Sequence, residues 1–274
     1  MARPYYTEVE GGIWHLTSRG IARRTVFEDD WDCSRFLDEL EDTTTRHAWR
    51  CLSYCLMGNH FHLIVQTPKP TLASGMRDLK RGYVTSSNAR RGLDGSRFKA
   101  GFGRQLIQDG AYLMAAAVYV AQNPVRAGLV DHPHEWRWSS FADTAGDAPT
   151  FVDPELLLAE FDADPGVARK AFAHLAGAVN GAPAFDPTLP IVGDGDFVRL
   201  HAPRERPGRA VVKRAWEQAR PTLGSLAASH EEDAFLRLAR LEYRYTLGAI
   251  AKQLGCSERT VQRRLACRVP GPDG

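Results

Sequence analysis

No stretch of this 274-residue chain approaches the 18 consecutive apolar residues of a membrane-crossing helix, and its beginning lacks a long apolar run. Neither export nor membrane insertion is therefore indicated, and a cytoplasmic setting is expected. Cysteine is scarce and scattered. The five (Cys33, Cys51, Cys55, Cys256 and Cys267) contain no Cys-x-x-Cys pair, and their odd number fits reduced thiols better than a disulfide framework or a zinc site. Glycine-rich phosphate loops are missing too: neither Gly-x-x-x-x-Gly-Lys-Ser/Thr nor Gly-x-Gly-x-x-Gly occurs, which argues against a nucleotide-driven or dinucleotide-dependent protein. Nor does one sign of charge prevail, since 35 Lys and Arg stand against 33 Asp and Glu. What remains is an ordinary globular composition, 43% hydrophobic and 25% charged, long enough for one large domain or two modest ones.

Against that plain background, Gly58-Asn59-His60-Phe61-His62-Leu63-Ile64-Val65 stands out. Residues 60–66 are rich in aromatic and β-branched side chains and read as a strand, along which residues i and i+2 share a face. His60 and His62 therefore stand side by side, and two neutral imidazoles on a stiff sheet can hold a divalent metal. A bare pair of this kind also reads as two partly exposed histidines on a sheet face. His132-Pro133-His134 repeats the pattern, but its proline and Asp131 mark a loop, a poor support for ligands. Downstream, 111 to about 122 is strongly helix-forming and carries Tyr119. One turn later comes Asn123, a neutral oxygen donor on the same face, with Gln122 as the alternative because Pro124 disfavours helical geometry at the residue before it. Tyr112, seven residues before Tyr119, competes with it as the chemically active phenol, and Tyr83 does so more weakly.

The remaining periodicity places strands at 13–18, 50–57, 60–66 and 105–108, the middle two forming a hairpin around Gly58-Asn59. Helices are expected at 31–46 and 72–89. Strands interleaved with helices suggest an α+β sandwich with helices packed on an antiparallel sheet, the tyrosine helix lying across the histidine face. Between the histidines and the tyrosine lies a basic stretch: Arg77, Lys80, Arg81, Arg90, Arg91, Arg97, Lys99 and Arg104 against Asp78 and Asp94. Such grouping supplies the salt-sensitive part of nucleic-acid affinity, and Tyr83, Phe98 and Phe102 are candidates to stack on unpaired bases.

Taken in order, these landmarks resemble the HUH single-tyrosine transposases, most closely their REP-associated branch. The resemblance runs from about residue 2 to 147. It includes Gly12-Ile13-Trp14-His15-Leu16-Thr17-Ser18-Arg19-Gly20, Phe27, Arg35-Phe36-Leu37, Tyr54 through Leu63, Asn123 through Val130, and Trp136-Arg137-Trp138-Ser139-Ser140. It implies a ferredoxin-like sheet, a metal held by His60, His62 and Asn123, and Tyr119 as the nucleophile that cuts single-stranded DNA. Insertion-sequence members of the family carry glutamine where this chain has Asn123. A mixed nitrogen and oxygen ligand set suits Mg2+ or Mn2+. The implied activity is cleavage and rejoining of DNA at hairpin-forming repeats through a 5′-phosphotyrosine, which needs no ATP, by a monomer or a homodimer in a bacterial cytoplasm near the nucleoid. The alternative is a non-catalytic DNA-binding regulator that keeps the fold.

Beyond residue 147 the composition changes. The expected division is 1–147 as the nuclease domain, 148–210 as a helical segment (156–178) followed by a Gly/Pro-rich linker (179–210) with little structure, and 211–274 as a helical C-terminal domain. Residues 246–265 read as a helix-turn-helix: Ala251 allows a close crossing, Gly255 suits the turn and Ser257 caps the second helix. Arg259, Thr260, Gln262, Arg263 and Arg264 would then face a duplex groove. An ordinary helical hairpin fits the same residues.

Overall fold

A computed structural model describes residues 8–146, 150–178, 185–202, 223–229, 231–237, 239 and 245–266. The chain forms two compact units, Met1–Arg204 and Glu205–Gly274. In the first, strands β1 (Gly12–Arg19), β2 (Arg50–Met57), β3 (His60–Thr67), β4 (Gly103–Ile107) and β5 (Ile191–Val192) lie in the order β2-β3-β1-β4-β5. The first four pair antiparallel throughout. Helix α1 (Asp30–His47) connects β1 to β2 and α2 (Leu72–Arg91) connects β3 to β4, which is the split βαβ arrangement of a ferredoxin-like sheet.

Two expectations need correction here. The sheet is mixed, because β5 pairs parallel to β4. In addition, 179–210 is not a structureless linker where it is described: it supplies β5 and a helix, Gly195–His201, capped by Asp194. The physical reason is edge satisfaction. Leu106 N donates to Pro190 O at 3.1 Å and Gln108 N to Val192 O at 2.9 Å, pairing donors that an open β4 edge would leave exposed. A two-residue strand between Pro190 and Gly193 is too short to show a period. The boundary drawn after residue 147 falls inside the first compact unit. Leu157, Leu158, Phe172 and Ala176 belong to the same buried cluster as the tyrosine helix, so the chain past 147 completes that core. The expected 156–178 helix is two, Glu155–Leu158 and Pro165–Gly177, the second restarted by the Asp164 cap and Pro165.

The opposite edge is also covered. Leu56 N donates to Trp138 O at 2.8 Å, Ser140 N to Tyr54 O at 3.0 Å and Asp153 N to Cys51 O at 2.8 Å. The indole of Trp136 adds a bond to Leu56 O at 2.9 Å. The Trp136–Ser140 run thus seals β2 rather than forming a site.

Strand alternation divides the sheet into two faces. Trp14 and Leu16 of β1 and Phe61, Leu63 and Val65 of β3 join Phe36, Leu40, Leu79 and Tyr83 of α1 and α2. Ile13 and Ile64 turn the other way, toward α3 (Ala111–Ala121), whose Ala115, Ala116, Ala117, Val118 and Val120 are buried. Small side chains let α3 lie close on β2 and β3. Between α1 and α2, the fully buried Asp32 carboxylate receives Arg91 Nη2 at 2.6 Å and Nη1 at 2.9 Å, with Ser87 Oγ at 3.2 Å. Asp32→Ala removes the shortest of the Arg91 ion pairs and leaves those to Glu28 and Asp29 at 3.4 and 3.7 Å, so an unfolding titration in urea should show a loss of about 2–3 kcal/mol, below the full cost of breaking a buried pair.

The second unit contains helices Leu223–Ser229, Glu232–Arg237, Leu247–Leu254 and Glu258–Ala266 around Leu226, Phe235, Leu236, Ile250, Ala251 and Val261. Thr246 caps the third, and the Ser257 hydroxyl accepts from Thr260 N at 3.2 Å at the head of the fourth. Gly255 between them has φ +64°, a conformation that favours glycine. Of the expected C-terminal domain, 211–222, 230, 238, 240–244 and 267–274 lie outside the described residues.

Candidate functional site: paired imidazoles beneath a helical tyrosine

The face that receives α3 carries the site. On β1 the alternation that points Ile13 toward α3 points His15, Thr17 and Arg19 the same way, and on β3 it does so for His60 and His62. Arg19 is registered opposite His60, and Thr17 opposite His62. The His60 and His62 ring centres are 5.1 Å apart. With a metal–nitrogen bond of about 2.1 Å, two imidazoles on one ion put their ring centres roughly 4.5–5.5 Å apart, so this spacing fits a shared cation. Across the face, the Tyr119 ring lies edge-on at 5.8 Å from His62 and 6.0 Å from His15. Tyr83, by contrast, is fully buried on the other face with its hydroxyl donated to Val26 O at 2.5 Å. Of the tyrosines weighed, Tyr119 is the one brought to the imidazoles; Tyr112 makes no ring contact with them.

Electrostatics keep the imidazoles neutral. Burial, with help from the Arg19 guanidinium, lowers His60 to about 4. His62 is held well below its ordinary value by burial, then by His15, His60 and Arg19. Burial lowers His15 to about 4, partly opposed by its bond to Gln105. Neutral imidazole is the form that binds a metal. Burial raises the Tyr119 phenol, while Arg126 and Arg19 pull it back. The Arg126 guanidinium sits 5.1 Å over the Tyr119 ring and donates to Gln122 Oε1 at 3.2 Å. Arg126 thus covers the phenol ring, and the charge of Arg19, from a separate element, acts in the same direction.

These shifts have a consequence for stability. In the unfolded chain a histidine protonates near 6.5, whereas folded His15 resists until about 4. Between those values the unfolded state binds the extra proton, so stability falls as pH drops through that window, by up to about 3 kcal/mol for His15. Thermal melts from about pH 7.5 to about 4.5 should show Tm decreasing once the pH passes below the unfolded-state value near 6.5, with a shallower decline in His15→Gln.

The third expected ligand is less directly presented. Asn123 opens a short helix, α4 (Asn123–Arg126), and its amide nitrogen donates back to Tyr119 O at 2.9 Å and Val120 O at 3.4 Å. It makes no hydrogen bond to either imidazole. The alternative, Gln122, is committed elsewhere: its amide nitrogen holds Ala176 O and Ala178 O at 3.1 and 2.9 Å. Among the described residues no group of three histidine, cysteine or carboxylate side chains is arranged to hold a metal. Of the two amides, Gln122 also has its oxygen bonded by Arg126 at 3.2 Å, whereas the Asn123 oxygen has no hydrogen-bond partner among the described residues.

The basic stretch is mostly occupied. Arg90 pairs with Asp29 at 2.8 Å, Arg91 with Asp32, and Arg97 with Glu28. Lys80 donates to Lys99 O at 3.0 Å and Gly101 O at 2.6 Å. Tyr83 and Phe98 are buried, which corrects the expectation that they stack on bases; only Phe102 of that trio is partly exposed. Helix α2 also lies on the face away from the histidines. Arg77, Arg81 and Lys99 remain exposed, and Arg104 is half-buried. Lys99 N donates to Arg19 O at 2.9 Å, which brings Lys99 to the His60 end of β1. In the second unit Arg259, Gln262, Arg263 and Arg264 are exposed and Thr260 half-buried, with Arg264 paired to Glu232.

Sequence reasoning missed His15, Gln105, Arg19, Arg126 and Phe185. The signal for His15, Thr17 and Arg19 is present as polar residues at alternate positions of a strand whose other face is apolar. Phe185, 5.0 Å from Tyr119 and 5.5 Å from His15, comes from a segment with no local cue.

A helix-borne phenol facing two sheet-borne imidazoles is a layout suited to phosphoryl transfer. Residues 8–123 match the family model described as "Transposase IS200 like". Among solved structures, the chain is similar to one described as a REP-associated tyrosine transposase bound to a REP hairpin, with 18% identity, a TM-score of 0.46, and coverage of 56% of this chain and 93% of that one. No curated protein matches.

Proposed function

We propose that this chain is a metal-dependent nuclease and strand-transfer enzyme for single-stranded DNA, acting at hairpin-forming repeats. The carrying observation is the Tyr119 ring 5.8 Å from His62 across the α3 face. His60 and His62, with Asn123 as third donor, would hold Mg2+ or Mn2+, which polarises a phosphoryl oxygen when bound. Arg19 and Arg126 bind the scissile phosphate and favour the phenolate of Tyr119. The Tyr119 oxygen attacks phosphorus, an O–P bond forms and the P–O3′ bond breaks. The phenol proton is lost to solvent and the departing 3′ oxygen takes one up, leaving a 5′-phosphotyrosine and a free 3′-hydroxyl. The phosphodiester is conserved in this exchange, so rejoining runs the same step with another 3′-hydroxyl. Exposed Arg77, Arg81 and Lys99 add phosphate contacts, and Arg259, Gln262 and Arg263 of the C-terminal helices contact duplex DNA.

Incubation of the whole protein with labelled hairpin oligonucleotides and Mn2+ tests the reading. A denaturation-resistant protein–DNA adduct that disappears with chelator is expected. Hairpin binding with no adduct would overturn it in favour of a DNA-binding regulator.

A further inference from the structure

From His62 a chain of polar contacts that the proposed reaction does not use runs through His15 into the sheet. His62 Nδ1 lies 2.8 Å from His15 Nε2, and the two rings lie end to end with centres 5.1 Å apart and planes within 5°, the geometry of an in-plane N–H···N bond. His15 Nδ1 lies 2.5 Å from Gln105 Oε1. The Gln105 amide nitrogen donates to two backbone carbonyls, Asp186 O at 3.0 Å and Leu189 O. His15, Gln105 and His62 are all buried.

The direction of each hydrogen bond in this chain follows from its far end. Carbonyl oxygens only accept, so the Gln105 nitrogen must face Asp186 and Leu189, and its oxygen must face His15. An amide oxygen also only accepts, so His15 Nδ1 carries the proton. The neutral His15 ring then offers Nε2 as an acceptor, and His62 Nδ1 must be the donor. The lone pair left on His62 is at Nε2. His60 repeats the logic in a shorter form. The Asn59 amide nitrogen donates to Arg23 O at 3.2 Å, so its oxygen accepts from His60 Nδ1 at 2.6 Å, and the His60 lone pair is also at Nε2. Neither Nε2 has a hydrogen-bond partner among the described residues.

We infer that His15 and Gln105 are positioning residues that lock His62 in its Nδ1-protonated tautomer and fix the ring, while Asn59 does the same for His60. Both Nε2 lone pairs are thereby left free of protein donors on rings whose centres are 5.1 Å apart. The inference deepens the metal role proposed above and, as regards ligation, rests on it. In solution a neutral imidazole favours the proton on Nε2, so the assigned form is the minority one and its presence is diagnostic. A relay anchored on carbonyls of residues 186 and 189 also explains why the chain past residue 147 belongs to the same unit: it sets the far end of the chain of bonds.

The test begins with the unmutated, metal-free whole protein labelled with 15N. Long-range proton–nitrogen correlation of the imidazole rings at neutral pH should show His62 and His60 with protonated Nδ1 and bare Nε2, assigned by loss of signals in His62→Gln and His60→Gln. A protonated Nε2 on His62 overturns the inference, whatever the metal does. Mn2+ affinity, read from the electron paramagnetic resonance of the free ion, should fall about 10–100-fold in His15→Phe and in Gln105→Leu. His15→Gln, which keeps an acceptor for His62 and a donor for Gln105, should lose less. Unchanged affinity in both disruptive variants would overturn the positioning role. Should the unmutated protein show the assigned tautomers yet bind no Mn2+, the relay stands and the metal-dependent reading fails. Mn2+ binding with a protonated His62 Nε2 in the free protein would do the opposite, sparing the metal role and removing the relay.

Discussion

Tyr119→Phe is expected to abolish the covalent protein–DNA adduct while leaving hairpin affinity within a few-fold of normal. Removing the attacking oxygen deletes the bond-forming atom, and single losses of this kind typically cost at least ~10³-fold in rate. The ring itself is retained, so its packing against Phe185 and under Arg126 persists and binding should survive. Tyr112→Phe serves as the matched control, because Tyr112 rides the same helix without contacting the imidazoles. Gel electrophoresis of labelled oligonucleotide under denaturing conditions separates the cases. An adduct surviving in Tyr119→Phe but lost in Tyr112→Phe would move the nucleophile back along α3.

The second large effect belongs to His62→Ala. His62 is buried, bonded to His15 and with its ring centre 5.1 Å from that of His60, so its removal takes away one of two nitrogen donors and leaves His15 Nε2 without its partner. Mn2+-dependent cleavage should fall by at least ~10²-fold, since losing a direct ligand should exceed the roughly 10–100-fold cost of losing a supporting contact. His60→Ala should lose cleavage similarly but melt nearer to the unmutated protein, because His60 is only partly buried and its Nδ1 bonds a neighbouring side chain. Cleavage by either variant that proceeds unchanged in the presence of chelator would remove the metal from the mechanism. Circular dichroism melts distinguish lost chemistry from lost fold.

The first four strands and their two helices are legible in the sequence because each carries its own period. The two-residue alternation of β3 puts His60 and His62 on one face before any coordinates, and the alanine-rich run puts Tyr119 on a helix. From those facts alone the helix has to lie over the histidines. What escapes the sequence is non-local. The basic stretch resembles a nucleic-acid surface because its acidic partners, Glu28, Asp29 and Asp32, lie some sixty residues earlier. Tyr83 looks available for stacking because amphipathic position on a helix does not say which sheet face the helix covers, and Phe98 because the bridge that buries it pairs with the distant Gly20. His15 enters the sequence reading only as a landmark of a resemblance, since the partner that gives it a role, Gln105, is 90 residues away. Gly/Pro-rich composition at 179–210 reads as an absence of structure, whereas the described part of it closes a sheet edge.

That last strand has a practical consequence. Anyone wishing to isolate the half of the molecule that carries the chemistry would be tempted to cut where composition changes, near residue 147. Such a fragment would retain every residue of the matched family segment and still be damaged. It would lose the aromatic lid of Phe185, the two carbonyls that aim Gln105, and the strand that shields β4 from pairing with another molecule. A fragment ending near residue 204 keeps all three, and is the shorter piece from which self-association and spurious inactivity should both be absent.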